Sequence, residues 1–181
     1  MPENKPPEAS PSDAARSVSI PAGAAPALIA GVTVETVIDG SPEAVWLSLT
    51  EHIQAWWPES FYVGGEAGQR RFALEAHVGG RMYEEWDDGG GLLWGTVCTL
   101  RPRQLLQIVG HTFPDWGGPS QWYGTLTLEP TDGGVRVRFS ESAVGQVDPK
   151  RLQGNQKGWD FLFCQALKAH VEDTPAPEWV D

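Results

Sequence analysis

Residues 71–142 read RFALEAHVGGRMYEEWDDGGGLLWGTVCTLRPRQLLQIVGHTFPDWGGPSQWYGTLTLEPTDGGVRVRFSES. Apolar and polar residues alternate here in short runs, each ending at turn-forming residues. Phe72–His77 ends at Gly79-Gly80, Arg81–Asp87 at Asp88–Gly91, and Leu92–Leu100 at Pro102. Leu105–His111 runs into a loop with Pro114, Gly117, Gly118 and Pro119, and Gln121–Glu129 stops at Thr131-Asp132-Gly133-Gly134 before Val135–Ser142. Period-two alternation predicts strands. Glycine tolerates the positive φ of a tight hairpin at Asp88–Gly91. Connections this short join antiparallel neighbours, since a parallel crossover needs a dozen residues or more.

Upstream, Val32, Val34, Thr36 and Ile38 alternate with Thr33, Glu35 and Val37, which predicts a first strand. Ser41-Pro42-Glu43 then combines a capping hydroxyl, a proline at the first helical position and an acid near the positive helix end. Val45, Trp46, Leu49, Ile53, Trp56 and Trp57 recur at helical spacing until Pro58. One broken helix, or two short ones meeting near Thr50, satisfies this. Downstream, Asp148-Pro149 opens a second helical pattern through Leu152, Trp159, Phe163, Ala166 and Leu167 to Val171. That run of about 23 residues spans ~35 Å, enough to cross a sheet. Gly154 and Gly158 weaken it by up to ~1 kcal/mol each relative to alanine, and leave room for the sheet or a ligand. The expected architecture is α+β: a curved antiparallel sheet of about six to seven strands around a long C-terminal helix, with two short helices after the first strand.

The chain has 181 residues, 40% hydrophobic and 10% aromatic, and a formal charge of −11. Such a length suits one domain with tails. Residues 1–30 hold Pro2, Pro6, Pro7, Pro11, Pro21 and Pro26 among alanines, serines and charges and are expected to be a disordered tail. The folded unit is placed at 31–171, and 172–181, with Pro175 and Pro177, at a C-terminal tail from which Trp179 is able to dock on the body. No run approaches the ~20 apolar residues of a membrane span, and the apolar stretch Ala22–Ala30 lacks a basic region before it. The expected location is cytoplasmic, away from membranes. The acidic balance argues against nucleic acid, which requires clustered cations. Arg70-Arg71, Arg101/Arg103, Arg136/Arg138 and Lys150-Arg151 read as solvated positions. Cys98 and Cys164, far apart, read as buried thiols and not as a disulfide framework or zinc site.

Four local stretches, in order, resemble the START-like (SRPBCC) superfamily that includes the birch-pollen allergen fold, and within it the branch of activators of the heat-shock ATPase chaperone. They are Ser41-Pro42-Glu43-Ala44-Val45-Trp46 with Trp56-Trp57-Pro58; Val78-Gly79-Gly80-Arg81-Met82; Trp94-Gly95-Thr96-Val97 through Pro102 to Leu105-Leu106; and Gly158-Trp159 with Leu162 and Leu167. Thr36, where many relatives carry a basic residue, and the Trp-, Gly- and Pro-rich loop Phe113–Ser120 depart from the pattern. The resemblance implies the helix-grip fold, with a cavity between sheet and helix that often accepts small apolar or amphipathic molecules. It implies no shared catalytic set.

Nine tryptophans are the strongest compositional signal. Core filling is the simpler reading of any one of them, and an aromatic-lined pocket is the reading of the set. Strand parity puts Trp122 inward with Leu126 and Leu128, and Glu141 inward with Val135, Val137 and Phe139. Glu141 is then either an acceptor or general acid at a cavity mouth, or a strand-end carboxylate meeting water. Met82 and Trp86 facing inward bring Glu84 with them, which requires a partner of another strand or a partly open position. His52, His77, His111 and His170 have no metal-ligand spacing, and His111, before the aromatic loop, is the candidate acid or base. Ser140 and Ser142 lack a nucleophile-elbow context, and Gly89-Gly90-Gly91 is a hairpin and not a phosphate cradle. The leading expectation is a noncatalytic domain binding a small apolar or aromatic ligand, walled by Trp46, Trp57, Trp86, Trp94, Trp122, Trp159 and Phe163, with Glu141 and Tyr83 as polar contributors and no cofactor or metal. The alternatives are a cyclase- or hydrolase-like enzyme using Glu141 or His111, and a chaperone-ATPase adaptor. Homodimerisation and a protein partner stay open.

Overall fold

Strand β1 (Leu28–Ile38) leads to helices α1 (Pro42–Thr50) and α2 (Ile53–Trp56) and a short 3-10 turn, Glu59–Phe61. Strands β2 (Arg70–Leu74), β3 (Arg81–Trp86), β4 (Gly91–Arg101), β5 (Leu105–Thr112), β6 (Ser120–Thr131) and β7 (Gly134–Gly145) follow. The computed structural model describes residues 28–66 and 68–179. Most of the expected N-terminal tail lies outside the described residues, but 28–30, assigned above to it, are already strand. All seven strands form one antiparallel sheet in the order β1-β7-β6-β5-β4-β3-β2. The two helices after β1 carry the chain from one edge of the sheet to the other. Register shifts at Met82/Tyr83 and Val97/Thr99 bend the β3–β5 region.

Local chemistry accounts for the element ends. The Ser41 side chain accepts from Ala44 N at 3.1 Å, and the helical run divides between Thr50 and Ile53, as two short helices. β2 stops at Leu74, so His77, expected within a strand, lies in a turn. Glu75 closes that turn on Arg81, whose side chain and backbone N–H hold the Glu75 carboxyl down at about 2.

The C-terminal run starts as α3 (Pro149–Trp159), capped by Asp148, passes through a π-helical stretch, Asp160–Ala166, and finishes as α4 (Leu167–Val171). In the wider π turn Leu167 N–H bonds Leu162 O. Phe161, Leu162 and Phe163 are all buried there. Phe163 faces Phe139 at 4.8 Å, while Phe161 stacks on Phe61 at 5.7 Å. Trp179 packs edge-on against Phe61 and Phe161, with ring centroids 5.1 Å from each. The helix end is tied to the end of β1 by Glu172, which accepts from Asp39 N and Lys168 Nζ. Cys98 is exposed, contrary to expectation. Cys164 is half-buried, and burial, with Asp160 beside it, pushes its thiol up to about 12.

Candidate functional site

The two inward carboxylates act as acceptors for buried indole N–H groups. β7 continues past Glu141 to Gly145, so Glu141 lies under α3 and not at a strand end. Its side chain accepts from Trp159 Nε1, and from Asn155 Nδ2 at 3.0 and 3.2 Å. Glu84, 1% exposed, accepts from Trp94 Nε1 at 2.9 Å, Trp86 Nε1 at 3.0 Å and Val63 N at 3.0 Å. A buried indole N–H needs an acceptor, and a buried carboxylate needs donors. Each glutamate meets both needs at once and sets the orientation of the rings around it.

The space between sheet and helix is filled largely by those rings. Trp57 stacks on Phe72 at 3.7 Å with Trp94 edge-on at 5.7 Å, and Trp159 lies 4.5 Å from Phe139 and 5.7 Å from Phe163. The interior cavity that remains measures about 30 Å³, room on the order of a water molecule or two. Trp57, Trp122, Trp159 and Phe163 line it, but Trp46, Trp86, Trp94, Glu141 and Tyr83 do not. Trp46 is core. Trp86 lies against the backbone of Gly64, Gly65 and Gly90, where a Cβ would collide with its ring. Tyr83 is on the other side of the sheet: it pairs with Ala73 and Leu93, its ring lies 4.2 Å from the Arg81 guanidinium, and its hydroxyl accepts from Arg71. Among the described residues, the cavity expected between sheet and helix is reduced to about 30 Å³ because aromatic side chains occupy the rest.

A larger space opens where the sheet splits. β4 pairs with β5 from Thr96 to Arg101, against Leu105–Val109, whereas β5 continues along β6 to Thr112. The start of β4 therefore parts from the end of β5. Gly110 permits the close approach at the base of the split, since a Cβ there would lie 2.3 Å from the Trp122 ring and from Trp94 O. The resulting cleft, about 300 Å³, is lined by Trp94, Trp116, Trp122, His111, Arg151 and Asn155, among others. A neighbouring hollow of about 180 Å³ shares Trp94 and Asn155 and reaches Gly154 and Gly158. Beyond the backbone of its own helix, no atom of the described residues lies within 4 Å of where a Gly154 Cβ would be. His111 is exposed at the cleft rim.

Arg151 and Asn155 escaped the sequence reading, which placed Arg151 in a solvated basic pair. The signal that could have found them is spacing: Arg151, Asn155, Trp159 and Phe163 recur every fourth residue and so share one helix face. Among the described residues, no group of three or more His, Cys, Asp or Glu is arranged to hold a metal ion, and no helix is long and apolar enough to cross a membrane.

Comparison with known proteins places these features in context. A family model described as activator of Hsp90 ATPase homolog 1-like protein matches residues 39–172. Among solved structures, a Mesorhizobium loti protein is similar at 25% identity and TM-score 0.58, over 81% of this chain and 99% of its own. The AHSA1-like protein from Aeromonas hydrophila is similar at 19% identity and TM-score 0.55, over 80% of this chain and 93% of its own. A dimeric Aha1 from Colwellia psychrerythraea is similar at 19% identity and TM-score 0.53, over 79% and 96%. No curated protein matches.

Proposed function

The chain belongs to the activator of Hsp90 ATPase homolog 1-like family, and we propose that it binds a small amphipathic molecule, without catalysis, in the cleft between the split sheet and the first half of the long helix. The observation that carries this reading is the cleft itself: about 300 Å³ walled by three tryptophans with few polar groups, at the small end of the range typical of ligand pockets. The interior, at about 30 Å³, is far below that range. The noncatalytic part rests on Glu141, both of whose oxygens already accept hydrogen bonds from Asn155 and Trp159, which suits a structural acceptor better than a proton carrier.

Titration with a panel of amphipathic probes, followed by tryptophan emission, tests the reading. The expected result is saturable quenching, and an affinity reduced about tenfold or more in Trp116→Ala. Trp116 is 43% exposed, so its removal leaves the core intact, and unchanged thermal unfolding verifies that. No saturable response across the panel would sink the proposal.

A second reading, a protein adaptor, is favoured by the family description and by Ile29, Tyr123 and Val144, exposed on neighbouring positions of the outer sheet face. Addition of the chain to an Hsp90-class chaperone would then raise its ATPase rate, and an unchanged rate rejects this reading. Sedimentation of the same sample reads self-association, as in the dimeric relative.

A further inference from the structure

We propose that the ligand of the cleft is an aromatic carboxylate of one or two rings, its carboxylate paired with Arg151. The inference rests on reading the cleft as the binding site, and it adds the chemical class of the ligand.

Arg151 is half-buried and lines the cleft. Its side chain donates to Thr112 Oγ1 at 2.7 Å, one bond for a group with five N–H donors. Among the described residues no carboxylate lies within ion-pair distance of it, whereas Arg70, Arg71, Arg81 and Arg103 each have one and Arg136 has two. The arginines that share its lack of a partner, Arg101 and Arg138, are exposed to water. A partly desolvated guanidinium without a counter-charge, in a chain of formal charge −11, is suited to an external anion.

The remaining groups narrow the class. A single guanidinium fork matches the two oxygens of a carboxylate. A phosphate calls for more donors, and the N-terminus of α3 is already taken by Asp148, which accepts from Lys150 N. Trp94, Trp116 and Trp122 supply flat apolar walls for a ring. Asn155, held through its Nδ2 by Glu141, keeps its amide oxygen for a ring hydroxyl or N–H.

Isothermal titration of the full chain with 2-naphthoate and with neutral 2-naphthamide tests the proposal. Wild type is expected to bind 2-naphthoate at least about tenfold more tightly than the amide. Arg151→Gln is expected to erase that preference, leaving both probes at the amide's affinity. Should the variant unfold, salt replaces it: raising NaCl from 10 to 500 mM weakens naphthoate binding to wild type and leaves the amide unaffected, because only the former is an ion pair. Equal binding of both probes to wild type overturns the carboxylate assignment while the cleft reading stands. Binding of neither overturns both.

Discussion

Glu84 accepts hydrogen bonds from the backbone of Val63 and the indoles of Trp86 and Trp94. Replacing it by leucine fills the volume but strands those donors. An unsatisfied buried donor costs about 1–3 kcal/mol, so Glu84→Leu should lose roughly 2 kcal/mol or more, and Glu84→Gln, which keeps one acceptor oxygen, should lose less. Urea unfolding followed by tryptophan emission measures both, and equal stability of Glu84→Leu and wild type would remove the acceptor role. Strand parity made the inward direction of Glu84 and Glu141 legible, since alternate residues share a face. Their partners were not legible. Trp94 is on the next strand and Trp159 on the last helix, and pairing across such separations depends on register and helix placement. Tyr83 is a different case: its residue type suited a polar contributor, but the same parity that turns Met82 and Glu84 inward puts it on the opposite face.

Among elements, the long helix forms one wall of the site, through Arg151 and Asn155. Arg151 and Asn155 sit on the face that continues into Trp159 and Phe163, and Gly154 and Gly158 leave the neighbouring hollow open. Gly154 has helical neighbours on both sides and, beyond its own helix backbone, nothing within 4 Å of an added Cβ. Gly154→Ala should therefore stabilise the fold by up to about 1 kcal/mol, read as a higher denaturant midpoint at an unchanged slope. A midpoint that falls would mean the glycine meets a neighbour or a backbone need not visible in the fold. The strands and both short helices could be placed from periodicity, caps and turns, with shifts of a few residues at their ends. The π turn at Asp160–Ala166 could not, because the burial of three consecutive side chains, Phe161 to Phe163, is settled by what packs on each side of the helix.

For the whole molecule, closure depends on parts remote in sequence. β1 pairs with β7, and Trp179 returns to Phe61 and Phe161. An aromatic pair contributes about 0.5–1.5 kcal/mol beyond its buried area. Trp179→Ala, losing two such pairs, should thus lower stability by about 1–3 kcal/mol, and no loss on chemical denaturation would show that the docked segment does not hold the fold. The sequence by itself determined the α+β class, the antiparallel meander, the two short helices and the terminal helix, because hydrophobic period, capping and turn chemistry are local properties. Only the tertiary structure decided that the aromatic rings fill the interior, that the two glutamates bond indoles, and that a cleft of about 300 Å³ opens at the split between β4 and β5 beside Arg151. Those outcomes depend on volume and on register between distant segments, and neither is written in the order of neighbouring residues.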